Sequence, residues 1–270
     1  MEDRIQLTLT DGVADVRLVR VDKMNALDDA MFQALIDMGE RLKSEPGVRA
    51  IVLSGEGRAF CAGLDMGNFA RMAAPPANAN STGNTLVTAN RTPGGSNRAQ
   101  HAVMVWREQT VPVIAAIHGV AFGGGFQLAL GADIRFVTPD VKMAVLEIKW
   151  GLVPDMAGLV LMKRLVRDDV ARELTYTGRV FNGEEALQMG FATRVCADPL
   201  AEALALAAEI AGKNPHAIRG AKRLLDLAPD ASQTEILMAE SKEQTALIGS
   251  PNQVEAVMSN MQKRAATYVD

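Results

Sequence analysis

The 270-residue chain reads as an α/β protein built of stacked β-β-α units with a C-terminal helical appendage. Three observations carry that reading. Short apolar strand-like runs alternate with helical patterns up to about residue 198, two of those runs end in glycine-rich turns that open into apolar helical segments, and from Leu200 onward the pattern is helical throughout.

Taken in order, IQLTLTDGVADVRLVR places Asp11-Gly12 between two alternating segments, the signature of a two-residue hairpin turn. Asp28 is then placed to cap a helix reaching Ser44, because Met31, Leu35, Met38 and Leu42 form one apolar stripe and Pro46-Gly47 ends it. Strand-like runs recur at Ala50 to Ser54, Val113 to Ile117, Ile134 to Thr138 and Val141 to Ala144. Between Gly67 and Asn97 the composition shifts to small and polar residues, with breakers at Pro75-Pro76 and Gly94-Gly95, so this segment supplies little core and reads as either a lid or a disordered insertion. Asn182 with Glu185 is a capping arrangement for a short helix ended by Gly190, and later breaks fall at Lys213 to Pro215, Pro229 and Ser250-Pro251.

Composition narrows the function. Apolar residues make up 48% of the chain, enough for one sizeable core domain, and the formal net charge of -4 is spread over interspersed acids and bases. That leaves no basic footprint for nucleic acid or for an anionic membrane surface. Cys61 and Cys196 are far apart in apolar contexts, which argues against a disulfide or a zinc site and for a reducing compartment. The segment MEDRIQLTLT is charged and then strand-like, and no run is long and apolar enough to span a bilayer, so a cytoplasmic protein is expected. No His/Cys/carboxylate cluster has metal spacing and no serine sits in a nucleophile-elbow context, so no metal or redox cofactor is expected.

The most telling stretch is AAIHGVAFGGGFQLALGAD (Ala115 to Asp133), where an apolar run ends in three glycines and continues into a helix. A helix starting there aims unpaired N–H groups and the positive end of its dipole at one spot, which suits a carbonyl oxygen gaining negative charge. A tight strand-to-helix turn that merely needs glycine would read the same way. The segment AIVLSGEGRAFCAGLD (Ala50 to Asp65) repeats the arrangement, so two turns could each contribute one N–H.

Together AFCAGLD, HGVAFGGG and EIKWGLVPDMAG (Glu147 to Gly158), in that order, resemble the crotonase superfamily, the enoyl-CoA hydratase/isomerase family, over nearly the whole chain. The resemblance implies a spiral of β-β-α units over residues 1–198, carrying an acyl-CoA site, and a helical trimerisation region over 199–270 that gives a homotrimer or a dimer of trimers. It implies backbone N–H donors at Leu64 and Gly124 that hold the thioester oxygen of an acyl-CoA as an enolate forms. Coenzyme A would be part of the substrate and no separate cofactor would be needed.

Hydratases of the family use two glutamates, one three residues after the middle glycine and one matching Glu147. Here the first position is Gln127, whose amide cannot take a proton as a general base, although it can hydrogen-bond and position a water. Asp155 lies where relatives that shift double bonds in dienoyl-CoA substrates carry aspartate, and it could equally be a helix cap before MAGLVLMKRL. Glu147 is therefore the expected principal acid/base of an enoyl-CoA hydratase or isomerase. A double-bond isomerase using Glu147 and Asp155, and a catalytically degenerate CoA-binding protein, are the alternatives. By resemblance Lys23, Ala26, Ala62, Asp65 and Met66 line the CoA slot, Arg58 adds charge, and Lys263 in MQKRAATY, matching the family's last helix, contacts CoA across a subunit boundary. His118 is expected to support the glycine turn through hydrogen bonds rather than to titrate.

Overall fold

A computed structural model describes residues 3–68, 85–88 and 90–270. The hairpin expectation holds: Asp11 at φ 48° and Gly12 at φ 83° join β1 (Ile5–Thr10) to β2 (Val13–Leu18), with Thr10 opposite Val13. Two successive left-handed residues match the right-handed twist of the strands they connect. The helix α1 (Asp29–Ser44) starts where Asp28 accepts a hydrogen bond from the Met31 N–H at 2.8 Å, and it buries Met31, Leu35, Met38 and Leu42 as its spacing predicts.

Next come β3 (Ala50–Gly55), the single turn α2 (Thr85–Thr88) and α3 (Arg98–Arg107), which opens on a capping box between Asn97 and Gln100. The repeating unit follows: β4 (Val113–Ile117), β5 (Val120–Phe122) and α4 (Gly124–Leu130), then β6 (Ile134–Val137) and β7 (Lys142–Ala144) leading into a 3-10 turn at Glu147–Trp150 and α5 (Gly158–Met162). Two more helices, α6 (Asp168–Thr177) and α7 (Gly183–Met189), precede the short β8 (Arg194–Val195). Asn182 and Glu185 form the expected capping box, and Gly190 closes α7 at φ 99°. Four helices complete the described chain: α8 (Pro199–Ala211), α9 (Pro215–Leu227), α10 (Gln233–Leu247) and α11 (Pro251–Gln262).

Strands order as β1-β2-β3-β4-β6-β8 in a six-stranded sheet, parallel except for the β1–β2 hairpin, while β5 and β7 pair in parallel as a second small sheet. Each unit therefore contributes one strand to each sheet before turning into a helix. That is the β-β-α spiral.

Both faces of the large sheet are covered, which explains why β3 is buried at every position and reads as an unbroken apolar run. On one face Ile51 and Leu53 join the main core with Phe60, Trp106 and Phe126; on the other, Ala203, Ala207 and Ala211 of α8 press against Ala50, Val52, Ile114, Ala116 and Phe136. Alanines let α8 approach closely, so the first helix past residue 199 packs on the sheet.

The tail differs from the helical expectation for MQKRAATY. Helix α11 stops at Gln262 and Lys263 is left-handed at φ 54°. Beyond it the chain returns along α11, because Asn252 bonds both Val269 N (3.0 Å) and Val269 O (2.7 Å), and Arg49 donates to Tyr268 O (3.0 Å) and pairs with Asp270 (3.2 Å). Side-chain partners for the tail's backbone thus replace further helical bonds. Among the described residues no helix is long and apolar enough to cross a membrane.

Glycine is required where α4 passes the β3 loop, since a Cβ on Gly125 would lie 2.3 Å from Cys61 O and 2.9 Å from its carbonyl carbon. Gly125→Ala is expected to lower unfolding stability by about 1–3 kcal/mol, because backbone rather than a flexible side chain would have to move. Denaturant unfolding checks this. An unchanged midpoint would mean that the contact relaxes freely.

Candidate active site

The site assembles where β5 hands over to α4. Gly123, at φ 51° and ψ −117°, makes the turn and is tied to β7 through its N–H to Ala144 O at 3.0 Å. A Cβ there would stand 3.3 Å from Glu147 Oε1, so this glycine serves both backbone conformation and close approach. Gly124 is the first residue of α4, and its N–H belongs to the unpaired set at a helix start.

The second glycine loop lies alongside. Leu27 N donates to Gly63 O at 2.8 Å and Asp65 N donates to Leu27 O at 3.0 Å, a parallel bridge that leaves the Leu64 N–H pointing away from Leu27. Gly63, at φ 89°, is pressed against Phe122 O, and a Cβ on it would lie 3.7 Å from Gly124 N. The two glycine loops are therefore in contact. Neither Leu64 N nor Gly124 N has an acceptor among the described residues.

Glu147 opens the 3-10 turn after β7. Its Oε1 accepts a hydrogen bond from Gln127 Nε2 at 2.7 Å, and its Oε2 is buried without a partner among the described residues. Burial pushes the Glu147 carboxyl above the usual carboxylate range and the charge of Asp155 pushes it the same way, with the Gln127 bond acting against both. A proton acceptor of this kind is poised closer to neutral pH than an exposed glutamate.

Gln127 is 0% exposed on α4. Its carbonyl oxygen accepts from Met156 N at 2.9 Å and Gly158 N at 2.8 Å, and those two donors fix which end of the amide is oxygen. Both lone pairs of that oxygen are engaged, so any water this amide positions would have to accept from its nitrogen end.

The helix-cap alternative for Asp155 is also corrected. The residue capping α5 is Ala157, left-handed at φ 69° and without a side-chain cap bond, and Gln127 supplies the acceptor that a capping side chain would have given. Asp155 is exposed at the rim, yet desolvation by the chain around it still raises its carboxyl.

Residues expected around a CoA slot fall on two adjoining segments. Ala62 N donates to Met24 O at 2.9 Å and Cys61 Sγ to Asn25 O at 3.1 Å, which lays DKMNAL beside Cys61 to Met66. Within them Ala26 is buried while Lys23 and Met66 are exposed, as is Arg58 just before the second segment. Asp65 Oδ2 accepts from Arg20 Nη1 at 2.6 Å, and its Oδ1 accepts from Gly67 N at 2.8 Å; both bonds hold its carboxyl below the usual range. His118 Nε2 lies 2.9 Å from Gly57 O, bridging the ends of β4 and β3. Lys263 makes no bond to these segments among the described residues, and most of the expected lid, Gly67 to Asn97, lies outside them.

Arg20, Asn25 and Met156 went unsuspected. Buried Asn25 donates to Glu56 O (3.0 Å) and Ala59 O (2.9 Å) and shapes the loop before Cys61, whereas Met156 Sδ stands over Gly124. Only Asn25, an asparagine in left-handed conformation at φ 56°, follows a recognisable residue preference. An open groove of ≈ 490 Å³ at the carboxyl ends of β4, β6 and β8, lined by His118, Thr138, Asp140 and Asp198, is separate from Glu147 and the glycine loops.

The Enoyl-CoA hydratase/isomerase family model matches residues 8–270. The chain belongs to that family, and its fold is the crotonase fold. It is 33% identical over 267 residues to a Mycobacterium leprae protein named probable enoyl-CoA hydratase, covering 98% of both chains. It is 30% identical over 256 residues to the mitochondrial Delta(3,5)-Delta(2,4)-dienoyl-CoA isomerase of Mus musculus, covering 93% of this chain and 77% of that one. Among solved structures, an enoyl-CoA hydratase from Bacillus anthracis superposes with TM-score 0.86 at 25% identity (98% of each chain), and one from Mycobacterium smegmatis with TM-score 0.83 at 27% identity (97% and 98%).

Proposed function

We propose that the protein moves a carbon–carbon double bond along an acyl-CoA thioester through an enolate held by the Leu64 and Gly124 N–H groups, with Glu147 as base. Glu147 Oε2 takes a proton from the carbon beside the thioester carbonyl, and the electron pair moves onto the carbonyl oxygen facing the two N–H groups. Those donors are aimed at charge that exists only after proton removal, so they lower the barrier rather than deepen substrate binding. When the pair returns, it settles on a carbon further along the chain, where Asp155 in its acid form delivers a proton. Product and substrate then have the same composition, and Glu147 and Asp155 re-equilibrate through the solvent that reaches Asp155.

One observation favours isomerisation over hydration: position 127 carries an amide, which is no base, and its oxygen is already occupied by Met156 N and Gly158 N, so it neither deprotonates water nor accepts a hydrogen bond from it beside Glu147. Both activities are found among the relatives' names, so the products decide. Offered 3-enoyl- and 3,5-dienoyl-CoA thioesters, the enzyme should give conjugated products of unchanged mass with shifted absorbance, and 2-enoyl-CoA, whose α-carbon has no proton to give up to an enolate, should gain no water. A product heavier by one water would establish hydration, and thioester binding without turnover of any of them would mark a CoA-binding protein that has lost catalysis.

CoA would lie along Lys23, Ala26, Ala62, Asp65 and Met66, with Arg58 and the Lys263 of another subunit near its phosphates. Assembly as a homotrimer or a dimer of trimers fits the apolar residues that α9–α11 leave exposed, Leu225, Leu237, Met238 and Met261 among them, and the cytoplasm is the proposed compartment.

A further inference from the structure

We infer that Gln127 is a positioning residue that locks the Glu147 carboxyl and the segment bearing Asp155 into one rigid unit, and so sets the span of acyl chain over which a proton is moved. The inference rests on the proposed roles of Glu147 and Asp155. Its physical basis is the amide's own bonding.

One end of the side chain donates to Glu147 Oε1 at 2.7 Å, and the other accepts from Met156 N and Gly158 N, the residues on either side of Ala157. An uncharged amide offers a donor and an acceptor on one short plane, which this position needs. An apolar side chain would orphan two buried N–H groups, and a carboxylate would set a like charge against Glu147.

The clamped segment has little freedom of its own. Ala157 is left-handed at φ 69°, a conformation costly for a residue with a side chain and persisting only where its surroundings over-determine it. Gly158 is pressed so closely on the amide that a Cβ would lie 2.6 Å from Gln127 Oε1. Asp155 directly precedes the pinned Met156, whose sulfur stands over Gly124, where a Cβ would lie 2.7 Å from it. A single buried side chain therefore connects the base, the second carboxyl and the roof of the N–H pair. Rotating Gln127 away would free Glu147 Oε1 to turn and would release Asp155 along the chain, misplacing both proton-handling groups at once.

The test compares the full-length enzyme with Gln127→Met and Gln127→Glu on the thioester that the wild type turns over, following kcat and KM across pH. Gln127→Met, similar in size but without the bonds, should lower kcat about 10- to 100-fold with KM within about twofold. It should also move the acid limb upward, because Glu147 loses the donor that offsets its burial and the charge of Asp155, the charged group acting on it from the neighbouring segment. Gln127→Glu should work while the new side chain is a neutral acid, able to donate to Glu147 and accept from the two N–H groups as the amide does. It should fail as that proton is lost, giving a second descending alkaline limb in addition to the one that loss of the Asp155 proton gives both proteins. A folded Gln127→Met with wild-type kcat and pH profile overturns the inference, and so does a Gln127→Glu profile without the added alkaline limb. Should Gln127→Met not fold, the Gln127→Glu limb decides alone. The wild-type product settles the isomerase reading separately, because the variant-to-wild-type ratios report on the clamp whether the product is an isomer or a water adduct.

Discussion

Replacing Glu147 by Gln is expected to lower kcat by roughly 10²- to 10⁴-fold while thioester binding stays near that of the wild type, since the loss falls on proton transfer and not on CoA contacts. The isosteric amide keeps an oxygen for Gln127 Nε2 and removes the buried, unpartnered Oε2 that would accept the substrate proton. In the wild type, kcat/KM should fall with pH as Glu147 is protonated, over a range above that of an ordinary glutamate because burial raises its carboxyl. The residual activity of Glu147→Gln should lack that limb. A folded variant with wild-type kcat would remove Glu147 from the chemistry.

The same substitution carries a stability signature of opposite sign. A carboxyl raised in the folded state contributes stability that is full below its unfolded value, near 4.5, and is lost as pH rises through the higher folded value. Above that range the buried charge opposes folding. Glu147→Gln has no such charge, so its stability should rise relative to the wild type between acid and neutral pH. Desolvation raises Asp155 in both proteins, and its charge acts on Glu147 only in the wild type, so the difference between their stability curves reports Glu147 together with that coupling.

Much of this architecture was legible because local rules and tertiary packing agree. Asp11-Gly12, the Asp28 cap and the Asn182–Glu185 box each meet a short-range backbone demand that no distant contact overrides. The left-handed Ala157 carries no such mark, since Gln127 reaching across from α4 pins the N–H groups on either side of it, and the same amide fixes the Glu147 carboxyl. For the same reason Gln127 looked like a vacated base, and Asp155 could pass for a cap. The two bonds to the Gln127 oxygen come from backbone N–H groups 29 and 31 residues away, a pairing that no window of sequence displays. Arg20 and Asp65 were hidden likewise, being 45 residues apart and joined only once α1 and the β3 loop are in place.

The Gly124 N–H can be tested only by separating its loss from steric damage, because any side chain at this position meets Met156 Sδ at 2.7 Å and Leu27 Cδ1 at 2.9 Å. Both neighbours are ends of flexible side chains, so Gly124→Ala should fold with a modest loss and retain its N–H. Gly124→Pro meets the same neighbours and deletes the donor, at the first helical residue, where proline is well tolerated. The informative quantity is the ratio of the two, and kcat for Gly124→Pro should lie roughly 10²- to 10³-fold below that of Gly124→Ala, the usual cost of one donor to a developing oxyanion. Circular dichroism and thioester binding confirm that both variants are folded and loaded. Equal kcat values would show that charge does not develop opposite this N–H, and the enolate would then have to be held elsewhere.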